Sequence, residues 1–329
     1  MQPFSSANPS KAVAFSVALY AVAVGGAAQA QVAEGQGTWT TRTPVPVGRT
    51  EVPGVTVNGK IHLLGGSARG VAYDMNRNDE YDPATDRWRA SAPMPLGLNH
   101  LGADVLNGKI YTAGGFSQRA HGQPQDAFLE YDPVSDTWRM LPPLKSKRGA
   151  VAVVALNGKI HVVGGREGDE PLIKTHEIYD PATGQWSSAP PMSRARDHLV
   201  AVAAEGKIHV IGGRFSVGDE DMTGLHEIFD PATNAWSFGA PMPTPRGGIS
   251  GAYHQGMIFV LGAEDGMRTY DENEAYDVKT GRWTKLKRLP FPLHGSAVAS
   301  IGPTLYSIGG AKKSGSLDVV DLNLAFSLH

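Results

Sequence analysis

The sequence predicts an all-β protein assembled from six copies of one unit, and three observations carry that prediction. Tryptophan recurs at Trp39, Trp88, Trp138, Trp186, Trp236 and Trp283, at intervals of 47 to 50 residues. Glycine pairs keep step with it at Gly65-Gly66, Gly114-Gly115, Gly164-Gly165, Gly212-Gly213 and Gly309-Gly310, with Gly262-Ala263 in the fifth place. Forty glycines and 23 prolines supply the turns that many short strands need. Self-similarity at a period of roughly 50 residues marks a modular β architecture. A length of 329 residues would suit two ordinary domains, but a closed array of repeats can use all of it as one.

Residues 1–30 fall outside the repeats. Lys11 is the single positive charge there, residues 12–24 form an apolar stretch, and Gly25-Gly26 would break a helix. The stretch is shorter than the roughly 20 residues that cross a bilayer, so no membrane span is expected. Ala28-Gln29-Ala30 has the small-x-small form of a cleavage site. A secretory signal peptide is expected over 1–30, a short linker over 31–37 and the repeats over 38–329, which places the protein in the periplasm or outside the cell. No cysteine occurs. The exported chain must therefore hold its fold by packing, and thiolate metal sites are closed to it.

The third copy shows the unit most plainly. Residues 148–156 form an apolar β run, and Asn157-Gly158 is a type I′ hairpin signal. Residues 159–163 alternate into Gly164-Gly165, a variable polar loop follows, and Glu177-Ile178-Tyr179 begins a third strand. Residues 180–184 suit a type I turn followed by a left-handed residue. Trp186 opens a fourth strand that ends at Ala189-Pro190-Pro191-Met192. The unit is a four-stranded antiparallel meander. An aromatic ring stands seven residues before the tryptophan in every full copy, at Tyr81, Tyr131, Tyr179, Phe229 and Tyr276. A turn of fixed length explains that spacing and sets the two rings in register between neighbouring units. The glycine pair marks a close backbone approach, where a Cβ would collide.

The apolar run, the glycine pair and the spaced aromatic and tryptophan resemble the kelch repeat family. The resemblance covers about residues 38–325 and implies a six-bladed β-propeller with one four-stranded blade per repeat. The two ends of the chain complement each other. Trp39 has no glycine pair before it, and the sixth pair is followed by the strand-like Asp318-Val319-Val320-Asp321 but by no tryptophan. The strand carrying Trp39 is expected to close the last blade as its outermost strand, which leaves no free edge.

Loops of such a meander alternate between two faces. The long, unequal loops after the glycine pairs share a face with the links between blades, and this is the expected binding face. Nine residues before the hairpin position, Arg49, Arg148, Arg196 and Arg246 fill one slot in four copies, and Leu98 and Leu293 fill it in the other two. The arginines have two readings. They form an electropositive rim for an anionic or carboxylate-bearing ligand, or they are repeat residues bonded to inter-blade carbonyls or acidic side chains. The slot is followed by Thr50-Glu51, Asn99-His100, Gly149-Ala150, Asp197-His198, Gly247-Gly248 and His294-Gly295. Asn99, His100, Asp197, His198 and His294 are polar and unlike their counterparts. They are expected near the channel mouth as ligand contacts or proton-transfer groups. The three histidines belong to alternate blades two, four and six, a placement too wide for a shared metal ion. No metal or other cofactor is expected. Arg69, Arg119, His121, Arg166, Glu167, Asp169, Glu170, Arg214, Glu220, Asp221, Glu264, Asp265, Arg268, Lys312 and Lys313 give the loops after the glycine pairs a mixed charge and read as solvated. His62, His161 and His209 recur at one strand position, His176 and His226 at another, and both sets read as packing.

A net charge of −2 gives no drive toward nucleic acid, and no nucleophile elbow, phosphate loop or metallohydrolase motif occurs. The expected role is a binding module: an exported monomer presenting its loop-rich face to a protein, peptide or glycan. The alternative is a sugar mutarotase or epimerase acting on an anionic sugar such as sialic acid. That reading is implied by a resemblance to the exported, six-bladed N-acetylneuraminate epimerases, in which Arg148, Arg196 and the rim histidines would serve. The long insertion of that family is lacking here, and no catalytic residue is assigned. Galactose oxidase-like kelch enzymes need a Tyr–Cys pair at copper, which a chain without cysteine cannot form.

Overall fold

The computed structural model describes residues 33–68, 74–167, 171–216, 221–315 and 317–328. The expected leader over 1–30 and the loop residues Arg69, Asp169, Glu170 and Glu220 lie outside the described residues. Six four-stranded antiparallel sheets form the protein, one per repeat. The third blade runs Ala152–Leu156, Lys159–Val163, His176–Asp180, Gln185–Ala189 from the inside outward. Each inner strand meets the next around the axis, and that of the sixth blade, Ala297–Ile301, meets that of the first, Gly54–Val57. The chain is a closed six-bladed propeller. Among the described residues no helix is long and apolar enough to cross a membrane.

The local signals behave as their chemistry requires. Asn157 and Gly158 have φ of 50° and 75°, the two left-handed residues of a type I′ turn. The core lies between blades. Tyr111, Ala113 and Phe128 of blade two pack with Val151, Val153, Ile160, Val162 and Tyr179 of blade three, so each sheet buries its face against its neighbour.

Tryptophan stitches the blades together. Trp186 stands opposite Tyr179 across the outer strand pair, with ring centroids 5.2 Å apart. Its indole N–H donates to the carbonyl of Pro142, in the link that follows the preceding blade. Trp88, Trp138, Trp236 and Trp283 donate likewise to Thr43, Ala92, Pro190 and Ala240. Trp39 completes the circle by donating to Lys287 at 3.0 Å, just beyond blade five.

The closing blade holds one correction. Thr38–Thr41 is its outermost strand, as expected, but the strand beside it is Asn323–Ser327 rather than residues 318–321. Leu317–Val319 instead pairs with Ala311–Lys313 in a small hairpin. The reason is the aromatic that faces tryptophan in every other blade. Phe326 supplies it, opposite Trp39 with ring centroids 4.9 Å apart, and the alternation over 318–321 offers none.

The glycine pair has one geometric cause. The N–H of its second residue donates to the carbonyl of the slot residue in the next blade: Gly66 to Leu98, Gly115 to Arg148, Gly165 to Arg196, Gly213 to Arg246, Ala263 to Leu293 and Gly310 to Arg49. A Cβ on the first residue would stand less than 3.0 Å from that same carbonyl oxygen in all six blades. The second residue takes φ near 100° in the glycine blades. In blade five Ala263 stays extended, and the flanking strands lengthen to Met257–Glu264 and Thr269–Asp277 with a bulge between Leu261 and Ala263.

Candidate functional site

Arg49, Arg148, Arg196 and Arg246 turn away from the axis into their own blades and are fully buried. Arg49 pairs with Asp79 at 2.6 Å, Arg148 with Glu177 at 3.0 Å, Arg196 with Glu227 at 2.8 Å, and Arg246 with Glu274. Backbone carbonyls take further guanidinium hydrogens, those of Val210, Gly212 and Leu225 in the case of Arg196. The acid always stands on the third strand, two residues before the aromatic that faces tryptophan. In blade two that residue is Leu129 and the slot is Leu98; in blade six they are Leu324 and Leu293. Of the two readings of the slot, the structure shows the tie to an acidic side chain in the four arginine blades, and these arginines form no electropositive rim.

The two residues after the slot build the mouth of the channel. The first makes a single bridge to the residue after the glycine pair: Thr50 to Ser67, Asn99 to Phe116, Gly149 to Arg166, Asp197 to Arg214, Gly247 to Glu264, His294 to Ala311. The second is left-handed in every blade. Glu51, His100, Ala150, His198, Gly248 and Gly295 have φ between 50° and 62°. Their backbones bond around the axis: the N–H groups of Glu51, His100, Ala150, Gly248 and Gly295 donate to Gly295, Glu51, His100, His198 and Gly248. A left-handed conformation costs a residue with a Cβ roughly 1–2 kcal/mol. Four of the six collar positions carry a side chain regardless, around an axial cavity of about 170 Å³.

Two buried clusters meet at this collar. In the first, one ring nitrogen each of His100, His121 and His198 lie within 4.8 Å of one another. His121 Nε2 is 3.1 Å from His198 Nε2. His100 Nδ1 is bonded to Asn99 Oδ1, and His198 Nδ1 lies 2.9 Å from Asp197 Oδ2. In the second, His294 Nδ1 lies 3.1 Å from Glu51 and 3.4 Å from Glu264, while its Nε2 donates to the Lys313 carbonyl at 3.0 Å. Glu51 joins the two, for its other oxygen is 3.0 Å from His100 Nε2. Arg214 donates to Glu264 at 2.7 Å, and Arg166 Nε lies 3.3 Å from Asp197.

Burial and neighbouring charge set the protonation of these groups in opposite directions. Burial holds His100 and His198 well below the ordinary imidazole range, and it brings His121 down to about 3. Burial lifts the Asp197 carboxyl to about 6 although Arg166 and Arg214 pull the other way. For His294 burial also opposes the charge, but Glu51 and Glu264 override it and the pKa rises. Glu264 falls to about 2, since His294, Arg214 and the Gly315 N–H outweigh its burial. Burial thus favours the neutral form of His100, His121 and His198, while Glu51 and Glu264 favour the charged form of His294, so the collar brings proton donors and acceptors together.

Asn99, His100, Asp197, His198 and His294 all reach the collar. The spacing argument that kept histidines of alternate blades apart fails for His100 and His198, whose ring centroids are 5.0 Å apart. Side chains that start from a narrow collar need cross only the width of the cavity. His294 joins the carboxylates instead. His121, Arg166, Arg214 and Glu264 read as solvated loop charges, yet the structure buries Arg166, Arg214 and Glu264 and half-buries His121. The signal for three of them was positional. Arg166, Arg214 and Glu264 directly follow the glycine-pair position, in register with Ser67, Phe116 and Ala311. The recurrent histidines do pack: His161 bonds His176 at 2.8 Å and His209 bonds His226 at 2.9 Å between strands.

A family model described as the KLHDC2/KLHL20/DRC7 Kelch-repeats domain matches residues 102–310. No curated protein matches the chain in sequence. The solved structure of YjhT superposes with a TM-score of 0.73, covering 86% of this chain and 96% of that one at 19% identity. At that identity the likeness shows the fold alone.

Proposed function

The chain belongs to the kelch-repeat family, and from that premise we propose that it is an exported binding protein that captures a peptide, protein segment or glycan at the axial mouth of its propeller. The observation that carries this reading is the collar. Glu51, His100 and His198 occupy left-handed positions that glycine fills in blades five and six, and they line the axial cavity. Burying ionisable groups opposes stability, and a glycine collar would close the ring without them. The cavity offers the Glu51 carboxylate beside the His100 and His198 imidazoles, which suits a ligand with hydroxyl or amide groups that both donate and accept. Export is supported by the apolar residues 12–24 and by Ala28-Gln29-Ala30.

Glycan and peptide arrays probed with the purified chain test the reading. A ligand should appear whose binding falls at least tenfold in Glu51→Gln. An array ligand bound equally by the wild type and the folded Glu51→Gln protein would sink the collar as the capture site.

One further reading has its own observation. Asp197 beside His198 and Glu51 beside His294 place two acid–base pairs at one cavity, the equipment that sugar ring opening and anomer exchange need. NMR of sialic acid anomerisation with the purified protein decides it, and a rate equal to that of buffer ends it.

A further inference from the structure

We propose that His100, His121 and His198 form a binding site for one borderline divalent transition-metal ion, with zinc the best fit. The three side chains come from separate elements: two collar positions in blades two and four, and the loop after the second glycine pair. Their convergence is not the pairwise packing seen at His161–His176 and His209–His226, which joins strands within one blade. The spacing suits an ion. Two imidazole nitrogens about 2.0–2.1 Å from a tetrahedral zinc stand about 3.3 Å apart, and His121 Nε2 and His198 Nε2 are 3.1 Å apart.

The surroundings fit as well. A metal-bound histidine usually directs its other ring nitrogen at a carboxylate or carbonyl oxygen, which fixes the ring. His198 Nδ1 faces Asp197 Oδ2 at 2.9 Å, and His100 Nδ1 faces Asn99 Oδ1. Asn99 is anchored in turn, its Nδ2 donating to Asp74 at 2.5 Å and to the Arg119 carbonyl at 3.2 Å. Glu51 lies 3.0 Å from His100 Nε2, and the cavity is the route by which water would reach the fourth position of the ion. Imidazole with carboxylate favours zinc, cobalt, nickel or copper over calcium or magnesium. The neighbouring Glu51–Glu264–His294 cluster is the weaker candidate, because Arg214, Ser314 and the Gly315 N–H already bond the Glu264 oxygens. The proposal is independent of what the mouth captures.

The test is titration of the chelator-treated full chain with Co2+ and then Zn2+, read by visible absorption and calorimetry. One equivalent of Co2+ is expected, with the intense d–d bands of a tetrahedral site, and Zn2+ should displace it. His121→Ala should abolish those bands, Asp197→Asn should weaken affinity about 10–100-fold, and Glu264→Gln should leave both intact. Wild-type protein that takes up no stoichiometric ion overturns the proposal. So does a His121→Ala protein that binds as the wild type does, or loss of binding in Glu264→Gln alone. If His121→Ala does not fold, pulsed EPR of the Cu2+-loaded wild type counts the imidazoles: three support the site and fewer overturn it.

Discussion

Arg196 and Glu227 form a fully buried ion pair 2.8 Å across, at the two positions that Leu98 and Leu129 hold in blade two. The chain thus contains both solutions to one packing problem. Burial lowers Arg196 to about 10, which leaves it charged at neutral pH. Arg196→Leu alone strands the carboxylate and should cost about 3–5 kcal/mol, whereas Arg196→Leu with Glu227→Leu should recover most of that loss. Urea unfolding of the three proteins checks it. A double variant as unstable as the single one would mean that the bonds to Val210, Gly212 and Leu225 matter more than the pair.

Stability should fall on mild acidification because of the packed histidines. Burial brings His161, His209 and His226 to about 4 and His176 to about 3, against about 6.5 in the unfolded chain. Between those values the unfolded chain binds more protons. The stabilisation is therefore full above pH 6.5 and is lost as pH drops toward 4, at up to about 1.4 kcal/mol per pH unit for each histidine. Blade two carries Tyr111 and Phe128 in the equivalent places. The variant His209→Tyr with His226→Phe should reduce proton uptake on unfolding at pH 5 by up to about two. Urea midpoints at pH 7, 6 and 5 give that slope, and an unchanged slope would contradict the assignment.

Ala150 is the collar residue whose side chain brings no polar group to a left-handed position, with φ of 51°. Ala150→Gly should raise stability by about 1 kcal/mol. Gly248→Ala should lower it, since φ there is 62° and a Cβ would stand 3.1 Å from Glu264 Cγ. Melting temperatures of the two variants should move in opposite directions.

Ring closure can be tested at Trp39. Its indole bonds Lys287, and its ring packs on Phe326. Trp39→Ala should cost about 3 kcal/mol and loosen the outermost strand of blade six, exposing the edge of Asn323–Ser327. Lower thermal stability together with concentration-dependent aggregation in light scattering is the expected pair of results. A stable, non-aggregating variant would show that the closing strand holds without its tryptophan.

What the sequence determined by itself was whatever repeats. Six tryptophans, the glycine pairs and the Asn-Gly turns record local geometry six times over, and their periodicity disclosed the blade, its strand order and the closure by Trp39. The same comparison singled out Asn99, His100, Asp197, His198 and His294, because a departure stands out where five other copies provide the expectation. Tertiary structure alone decided which departures meet. The arginine slot allowed both a rim and a tie to acidic side chains, and only the structure chose the tie, with the side chains turned away from the axis to acids on the third strand, a direction that spacing along the chain does not encode. Residues 318–321 were strand-like in pattern, and only the Phe326 ring opposite Trp39 showed that Asn323–Ser327 takes that place. His121 lies in a loop that no repeat constrains, and it reaches His100 and His198 because the collar brings blades two and four within a cavity's width. Distances across an axis are set by closure of the whole ring, and no local run of residues carries that information.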